Sequence, residues 1–263
     1  MTYTGSDDLT VSLDDGVLSV TLNRPDTLNS LSLGMLELLG DAVLQAATDP
    51  EVKVVRLGGA GRGFCSGAGL SAEDQDAKQF DAAAVLNAAN RAVAALVNLP
   101  KPAVAVVHGV AAGVGVSLAL GCDIVLASEK SSFLLAFTKI GLMPDGGASA
   151  LVAASIGRAR AMRMALLAEK LPAADAYAAG LVSSVHAAEE LDAEVDRVLA
   201  VLKSGPAVAL RKTKQAVNDA TLTELNNAFA RESAGQIQLL HAADFREGVA
   251  SFQQRRLPAY SDV

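Results

Sequence analysis

The chain has 263 residues, of which 51% are apolar and 4% aromatic, and its formal net charge is −7 at pH 7. This length and composition exclude a disordered or fibrous chain and are typical of a folded α/β protein. The acidic balance disfavours sequence-independent nucleic-acid binding. Cys65 and Cys122 lie outside any CxxC pair, and the first residues lack a secretory signal, so we expect reduced, buried thiols in a cytoplasmic protein.

The first predicted elements are a β-hairpin and a helix. Apolar and β-branched residues at 9–13 and 17–22 flank an Asp-Gly turn at 14–16, a pattern that is typical of two antiparallel strands. Ser32 is expected to cap a helix that continues to about Ala47, because apolar residues recur at helical spacing beyond it.

A strand, a glycine-rich loop and a second helix are predicted next. The apolar run at 52–57 predicts a buried strand, and the small residues at 58–70 predict a loop at its carboxyl end. The polar segment 71–80 is expected to be mobile and to shape a binding pocket. A helix over 81–98 follows, and the two prolines after it force an extended chain.

The stretch 103–127 is apolar for longer than a bilayer requires. It nevertheless contains His108, Ser117 and Asp123 together with four glycines, and a charged residue would be costly inside a membrane. We therefore predict a strand, a turn, a buried helix and a second strand, with no membrane insertion.

Helices dominate the rest of the chain. Short strands at 123–127 and 132–135 precede a turn at 144–147, which is expected to open a helix ending near Gly157. An extended piece is predicted at 181–185. Amphipathic helix candidates then lie at 206–220, 222–240 and 242–256.

The order of these elements suggests an α/β fold of stacked ββα turns, although periodicity alone leaves a doubly wound sheet open. We predict an α/β core at 1–200 and a C-terminal helical region at 201–263. No change of composition marks a linker between them, so the helical region is expected to pack on the core or on a neighbouring subunit.

Two loops of small residues are the strongest functional signal. The segment 64–70 (FCSGAGL) follows the strand at 52–57, and 108–116 (HGVAAGVGV) follows about 45 residues later. Small residues at strand ends let backbone N–H groups approach a ligand closely. Two such loops can direct two N–H donors at one carbonyl oxygen, so the pattern favours an oxyanion hole and enolate or acyl chemistry. The histidines are isolated, and no metal site is predicted.

Four segments resemble, in order and spacing, the enoyl-CoA hydratase/isomerase (crotonase) family. They are 23–31 (NRPDTLNSL), 64–70, 108–124 (HGVAAGVGVSLALGCDI) and 245–256 (FREGVASFQQRR). Together they cover nearly the whole chain. This sequence has Gly69 where the first oxyanion loop of the family usually has Asp.

The resemblance implies a crotonase-like spiral of ββα turns with a C-terminal helical oligomerisation region. It also implies a homotrimer or hexamer, and an acyl-CoA thioester as substrate without a further cofactor. The oxyanion donors would be the N–H groups of Ala68 and Val114; the family usually has Gly at the second position. Further residues placed at the acyl-CoA are Arg24, Leu28, Ser66, Gly67, Gly69, Leu70, Gly113, Ser117, Phe137, Leu142, Phe252 and Arg255.

Arg24 and Arg255 would contact the CoA phosphates, although either could be an ordinary surface charge. The family would supply the segment 252–255 from a neighbouring subunit.

The active-site pattern resembles most closely the isomerase branch of the family. The two glutamates that a hydratase uses fall here on Ser117 and Phe137, neither of which can transfer protons efficiently at neutral pH. Asp145 resembles the acid that Δ3,Δ2-enoyl-CoA isomerases, and related ring-opening isomerases of aromatic catabolism, place in the same loop. One carboxylate suffices to move a proton from C2 to C4.

Asp145 has two interpretations. It could be the base, in an apolar pocket lined by Phe137, Ile140, Leu142 and Met143 that raises its pKa. It could instead be the N-cap of the following helix, because Asp before Gly-Gly suits that position.

Three other functions remain open from the sequence. A hydratase with atypical residues is one, and a protein that binds acyl-CoA without turnover is another. The third is a serine acyl hydrolase with Ser117, Asp145 and His186 in hydrolase order, but about ten residues separate Ser117 from the preceding strand, unlike a nucleophile elbow.

Overall fold

The protein is described by a computed structural model that covers residues 2–69 and 81–262. Two predictions lie outside the described residues. They are the ligand contact of Leu70 and the pocket-shaping role of segment 71–80.

The described residues form strands in two sheets, joined by helices. The strands are β1 (Leu9–Asp14), β2 (Val17–Leu22), β3 (Val54–Gly59), β4 (Ala103–Val107), β5 (Val110–Ala112), β6 (Ile124–Ser128), β7 (Ser132–Leu134), β8 (Leu171–Pro172) and β9 (Ser184–His186). The helices are α1 (Leu33–Thr48), α2 (Ala82–Asn98), α3 (Val114–Leu120), α4 (Ala148–Leu167), α5 (Ala173–Ala179), α6 (Leu191–Ser204), α7 (Ala207–Thr221), α8 (Leu225–Leu240) and α9 (Ala243–Gln253). Short 3-10 turns lie at Pro25–Thr27 and Phe137–Ile140.

The strands from β4 to β7 alternate between two sheets. The larger sheet has the order β1-β2-β3-β4-β6-β9 and is parallel except for the β1–β2 hairpin. The smaller sheet has the order β5-β7-β8. Because β4 and β6 lie in the first sheet and β5 and β7 in the second, each of these two turns of the chain contributes one strand to each sheet. This topology confirms the spiral of ββα turns and excludes a single doubly wound sheet.

Near the N-terminus, the β1–β2 hairpin and helix α1 form where the local sequence predicted them. Asp15 and Gly16 have φ values of 43° and 80°, as a tight hairpin turn requires. The hydroxyl of Ser32 accepts a hydrogen bond of 3.3 Å from the N–H of Met35, which confirms it as the cap of α1.

The apolar stretch 103–127 folds as predicted, with one addition. It forms β4, the buried helix α3 and β6, and residues 110–112, expected in a loop, form the short strand β5. Six residues of α3 are buried, which explains why both faces of this helix are apolar. Among the described residues, no helix combines the length and the hydrophobicity that crossing a membrane requires.

The predicted helix end at Gly157 is confirmed as a break within α4. This residue has φ 76° and ψ 160°, which ends one helical path, and a second helical path continues from it to Leu167. Glycine tolerates such a conformation without the steric cost of a side chain.

The C-terminal helices pack on the body of their own chain. Lys214 of α7 lies 3.0 Å from Asp123 Oδ2 and donates to the carbonyl of Leu96 at the end of α2. Helix α6 spans the predicted division at residue 200. The division itself stays a prediction.

Candidate functional site

Two backbone bridges hold the loop 64–69, one to Ala111 of β5 and one to Leu31. Cys65 pairs with Ala111, whose neighbour Ala112 donates its N–H to the carbonyl of Cys65 at 2.8 Å. Gly67 has φ 92°, and a Cβ there would lie 3.0 Å from Ala112 O. Glycine is therefore required at this point of the loop, both for the backbone conformation and for the close approach.

The amides of Ala68 and Val114 are available to a ligand. Leu31 pairs with the loop on both sides of Ala68, donating to Gly67 O and accepting from Gly69 N, so this pairing does not use the Ala68 N–H. Val114 is the first residue of α3, and its N–H has no acceptor within the helix. Neither amide donates to any residue within 2–69 or 81–262.

Ala68 and Val114 both line one small cavity, and Asp145 lines it as well. Its volume of about 60 Å³ leaves room for about four water-sized groups. The wall is otherwise mostly apolar. It consists of Leu31, Leu36, Ala68, Gly69, Val85, Leu86, Ala89, Val114, Leu142, Asp145, Gln236, Leu240 and Phe245.

Asp145 lies in this wall with only 8% of its surface exposed. Its Oδ2 accepts a hydrogen bond of 2.7 Å from Gln236 Nε2, whereas its Oδ1 is buried and has no partner among the described residues. Burial raises the pKa of Asp145 to about 7, the hydrogen bond from Gln236 opposes this rise, and the charge of Glu232 adds to it. A carboxyl group with this pKa can both accept and return a proton near neutral pH.

Asp145 is not the cap of the following helix. Gly147, with φ 78°, occupies the N-cap position of α4, and glycine has no side chain that could accept a capping hydrogen bond. The carboxylate of Glu232 takes that role from α8, accepting from the N–H groups of Gly147 at 2.6 Å and Ser149 at 2.8 Å. A negative charge at this position also suits the helix dipole.

Ser117 and Phe137 are both buried beside this site. The hydroxyl of Ser117 donates to the main-chain oxygen of Asp145 at 3.1 Å, so the serine supports the loop that carries Asp145. A Cβ on Gly113 would lie 3.7 Å from the ring of Phe137. Neither side chain belongs to the cavity wall of the described residues.

The hydrolase triad is not assembled. Ser117 is fully buried and bonded to main chain, while His186 lies on β9 with its ring nitrogen 2.8 Å from the hydroxyl of Ser184. A nucleophilic serine needs a histidine within hydrogen-bond reach and access to substrate. Ser117 has neither in this structure.

The predicted composition of the apolar pocket around Asp145 was wrong in part. Leu142 lines the cavity, but Phe137, Ile140 and Met143 do not. Ile140 instead packs against Gly248 of α9. The apolar surroundings come mainly from α1, α2, α8 and α9, which local sequence around Asp145 could not reveal.

The remaining predicted contacts lie around or away from the cavity. Ser66 donates its hydroxyl to Thr27 O, and Leu28 accepts from the Ser66 amide. Arg24 donates to Ser30 O and lies 3.9 Å from Asp8. Phe252 is 62% exposed and Arg255 is exposed, and neither lines the cavity of its own chain.

Two residues of the site were missed from sequence, Glu232 and Gln236. They continue a buried stripe on α8 that begins with Leu225 and Ala228. Polar residues at i and i+4 on an otherwise apolar stripe were the available signal, because buried polar groups require partners. The sequence does not show that those partners lie about 90 residues earlier.

The described residues do not support a cysteine nucleophile or a metal site. Both cysteines are free and buried, as predicted, and burial raises the pKa of Cys65 to about 12, which makes it a poor nucleophile. Within the described part of the chain no cluster of side chains suits a metal ion. A cavity of about 460 Å³ beside the Lys214–Asp123 pair contains none of the predicted site residues.

Comparisons with known proteins agree with this fold. A family model described as enoyl-CoA hydratase/isomerase matches residues 12–263. The 1,2-epoxyphenylacetyl-CoA isomerase of Escherichia coli K12 is 37% identical, covering 95% of this chain and 96% of the relative. A probable enoyl-CoA hydratase of Rhodobacter capsulatus is 36% identical over the same shares. The crystal structure of an enoyl-CoA hydratase from Mycobacterium avium subsp. paratuberculosis K-10 has a TM-score of 0.91 and 61% identity, covering 97% of this chain and 99% of that one.

Proposed function

This chain belongs to the enoyl-CoA hydratase/isomerase family, and on that premise we propose that it is an enoyl-CoA isomerase with Asp145 as its single acid–base group. The observation that carries the proposal is the unpartnered Oδ1 of Asp145, a residue that lines the same cavity as Ala68 and Val114, whose amides donate to none of the described residues. Δ3,Δ2 isomerisation and ring-opening isomerisation both fit this arrangement, in fatty-acid or aromatic-acid catabolism.

The proposed reaction on a 3-enoyl-CoA has two proton transfers. Asp145 removes a proton from C2, and the negative charge passes to the thioester oxygen, where the N–H groups of Ala68 and Val114 stabilise the dienolate. The protonated Asp145 then returns the proton to C4. The double bond moves from C3–C4 to C2–C3, and the carboxylate is regenerated with no net change in protons.

Among the described residues that line the cavity, Asp145 is the ionisable one, and this favours an isomerase over a hydratase. Syn-hydration requires one group to activate water and another to protonate carbon, whereas isomerisation needs one. Some relatives are nevertheless described as hydratases, so 2-enoyl-CoA hydration must be assayed in parallel.

The test compares wild type with Asp145→Asn on 3-enoyl-CoA, 2-enoyl-CoA and epoxide thioesters, with product analysis. Loss of the base is expected to lower kcat on the isomerisation substrate roughly 10²–10⁴-fold. Asp196→Asn, which removes an exposed carboxylate on α6, is the matched control and should be unchanged. Activity of Asp145→Asn within a few-fold of wild type would exclude Asp145 as the base. Tight acyl-CoA binding without turnover of any substrate would identify a binding protein.

The other ligand contacts are proposals of the same kind. Arg24 and Arg255 would bind the CoA phosphates, and the segment 252–255 would reach the site of a neighbouring subunit. Its exposure on the single chain supports a role outside that chain's own cavity. A homotrimer or hexamer and a cytoplasmic location remain predictions from the family resemblance and the sequence.

A further inference from the structure

The side-chain amide of Gln236 is held in one orientation by three hydrogen bonds. Its Nε2 donates to Met143 O at 2.9 Å and to Asp145 Oδ2 at 2.7 Å, and its Oε1 accepts from the N–H of Met143 at 3.1 Å. A reversed amide would place its oxygen against a carbonyl and a carboxylate, and its NH₂ against an N–H. The bonding pattern therefore determines which end faces Asp145.

This arrangement makes the two oxygens of Asp145 unequal. Gln236 is 2% exposed, so its hydrogen bond to Oδ2 is protected from competing water. Oδ1 has no described partner and lies on a residue that lines the cavity. A carboxyl group held by one oxygen presents the other in a fixed direction, which a proton transfer to a bound carbon atom requires.

We propose that Gln236 is a positioning residue, which holds Asp145 by Oδ2 and leaves Oδ1 as the atom that exchanges protons with the substrate. This inference rests on the proposed isomerase function and assigns a second residue to the same site. Gln236 acts through Asp145 and through the main chain of Met143, two residues earlier in the same loop.

The electrostatic surroundings of Asp145 make this hydrogen bond important. Helix α8 contributes Gln236 and the titratable Glu232, whose charge raises the pKa of Asp145. Helices α1, α2, α3 and α9 contribute groups without charge to the site. These are Leu36, Leu86, Ala89, Ser117, Val114 and Phe245. Gln236 is thus the group that favours the carboxylate form of Asp145 against burial and Glu232.

The test is Gln236→Met, a substitution of similar length that removes the amide. Gln238→Met, on the exposed face of the same helix, is the matched control. A hydrogen bond to a buried charge corresponds to about one to two pKa units. We expect the midpoint of the kcat/KM pH profile to rise by about that amount in Gln236→Met, with activity more than about tenfold lower at pH 6 and recovering above pH 9. Gln238→Met should retain the wild-type midpoint.

A purely structural role predicts a different result. If Gln236→Met lowers activity equally at every pH and leaves the midpoint unchanged, the positioning role is wrong. Should Gln236→Met fail to fold, Gln236→Asn keeps an amide that is too short to reach Met143 and Asp145 together. It is expected to shift the midpoint in the same direction by a smaller amount, and an unchanged midpoint would again reject the inference.

A measurement without substrate separates this inference from the proposed function. The pKa of Asp145 is obtained from the pH dependence of the unfolding free energy, comparing each Gln236 variant with the same variant carrying Asp145→Asn. A raised pKa in a protein that shows no isomerase activity would reject the proposed function and retain the role of Gln236. An unchanged pKa would reject the role of Gln236 even if the enzyme is an isomerase.

Discussion

Replacing Asp145 by Asn is expected to stabilise the protein while it removes the proposed base. The folded protein raises the pKa of Asp145 from 3.8 to about 7, mainly because burial penalises the ionised form. Each unit corresponds to about 1.36 kcal/mol, so folding with an ionised Asp145 costs about 4 kcal/mol relative to the neutral acid. Asn stays neutral at every pH and can still accept the hydrogen bond from Gln236.

The sign of the pH dependence follows from the raised pKa. The favourable contribution of the protonated acid is fully present below pH 3.8 and is lost as the pH rises through about 7. Wild type should therefore lose about 3–4 kcal/mol relative to Asp145→Asn between pH 4 and pH 8. For a chain of this size that difference corresponds to roughly 10 °C in Tm.

The assay is chemical and thermal unfolding of both proteins from pH 4 to pH 9 at one fixed protein concentration, which keeps any contribution of subunit association comparable. Asp196→Asn, which removes an exposed carboxylate on α6, is measured in parallel as the control and should not reproduce the gap expected for Asp145→Asn. The reasoning is refuted if the gap between wild type and Asp145→Asn stays constant or narrows as the pH rises. In that case Asp145 is not a strained buried anion, and its proposed pKa near neutrality fails with it.

Three further substitutions test the surroundings of the site. Glu232→Gln removes the charge that raises the pKa of Asp145, so the midpoint of the kcat/KM pH profile should move to lower pH. Weaker capping of α4 should also lower the unfolding free energy by about 1 kcal/mol. A midpoint that moves to higher pH would contradict the direction assigned to the effect of Glu232. Gly67→Ala places a methyl group 3.0 Å from Ala112 O on a backbone with φ 92°. We expect the free energy of unfolding, measured with denaturant, to fall by about 1–3 kcal/mol and kcat to fall as well. An unchanged free energy of unfolding would show that the loop can relax. Ser117→Ala removes a buried hydrogen bond to the main chain and should lower the free energy of unfolding by about 1 kcal/mol, while kcat stays within a few-fold of wild type. Loss of nearly all turnover, or labelling of Ser117 by an organophosphonate, would instead favour a serine hydrolase.

Much of the fold could be predicted from local residue patterns. The Asp-Gly turn specified the β1–β2 hairpin, and Ser32 specified the start of α1, because these interactions involve residues close in sequence. The glycines of the stretch 103–127 distinguished a buried helix between strands from a membrane span. The short strand β5 was missed because its pairing depends on β7, which lies about 20 residues later.

The candidate site was predictable only where its parts are backbone loops. The segment 64–69 indicated an amide that faces a ligand, since its glycine content reflects a local conformational need, visible in the positive φ of Gly67. The partner amide at Val114 and the acid at Asp145 came from the family resemblance. Local sequence alone favoured Asp145 as a helix cap, and the family resemblance favoured it as the base.

Only the tertiary structure distinguished the two interpretations of Asp145. Helix α8 places Glu232 on the amides of α4 and Gln236 on Oδ2 of Asp145, which leaves Oδ1 without a partner among the described residues. The pKa near 7 arises from burial among α1, α2, α8 and α9, elements that are distant in sequence. The sequence by itself determined the order of strands and helices and the glycine loops, because short-range conformational preferences specify both. The burial of Asp145 and the hydrogen bonds of Asp145 and Glu232 depend on packing between elements that are distant in sequence. Only the tertiary structure decided them.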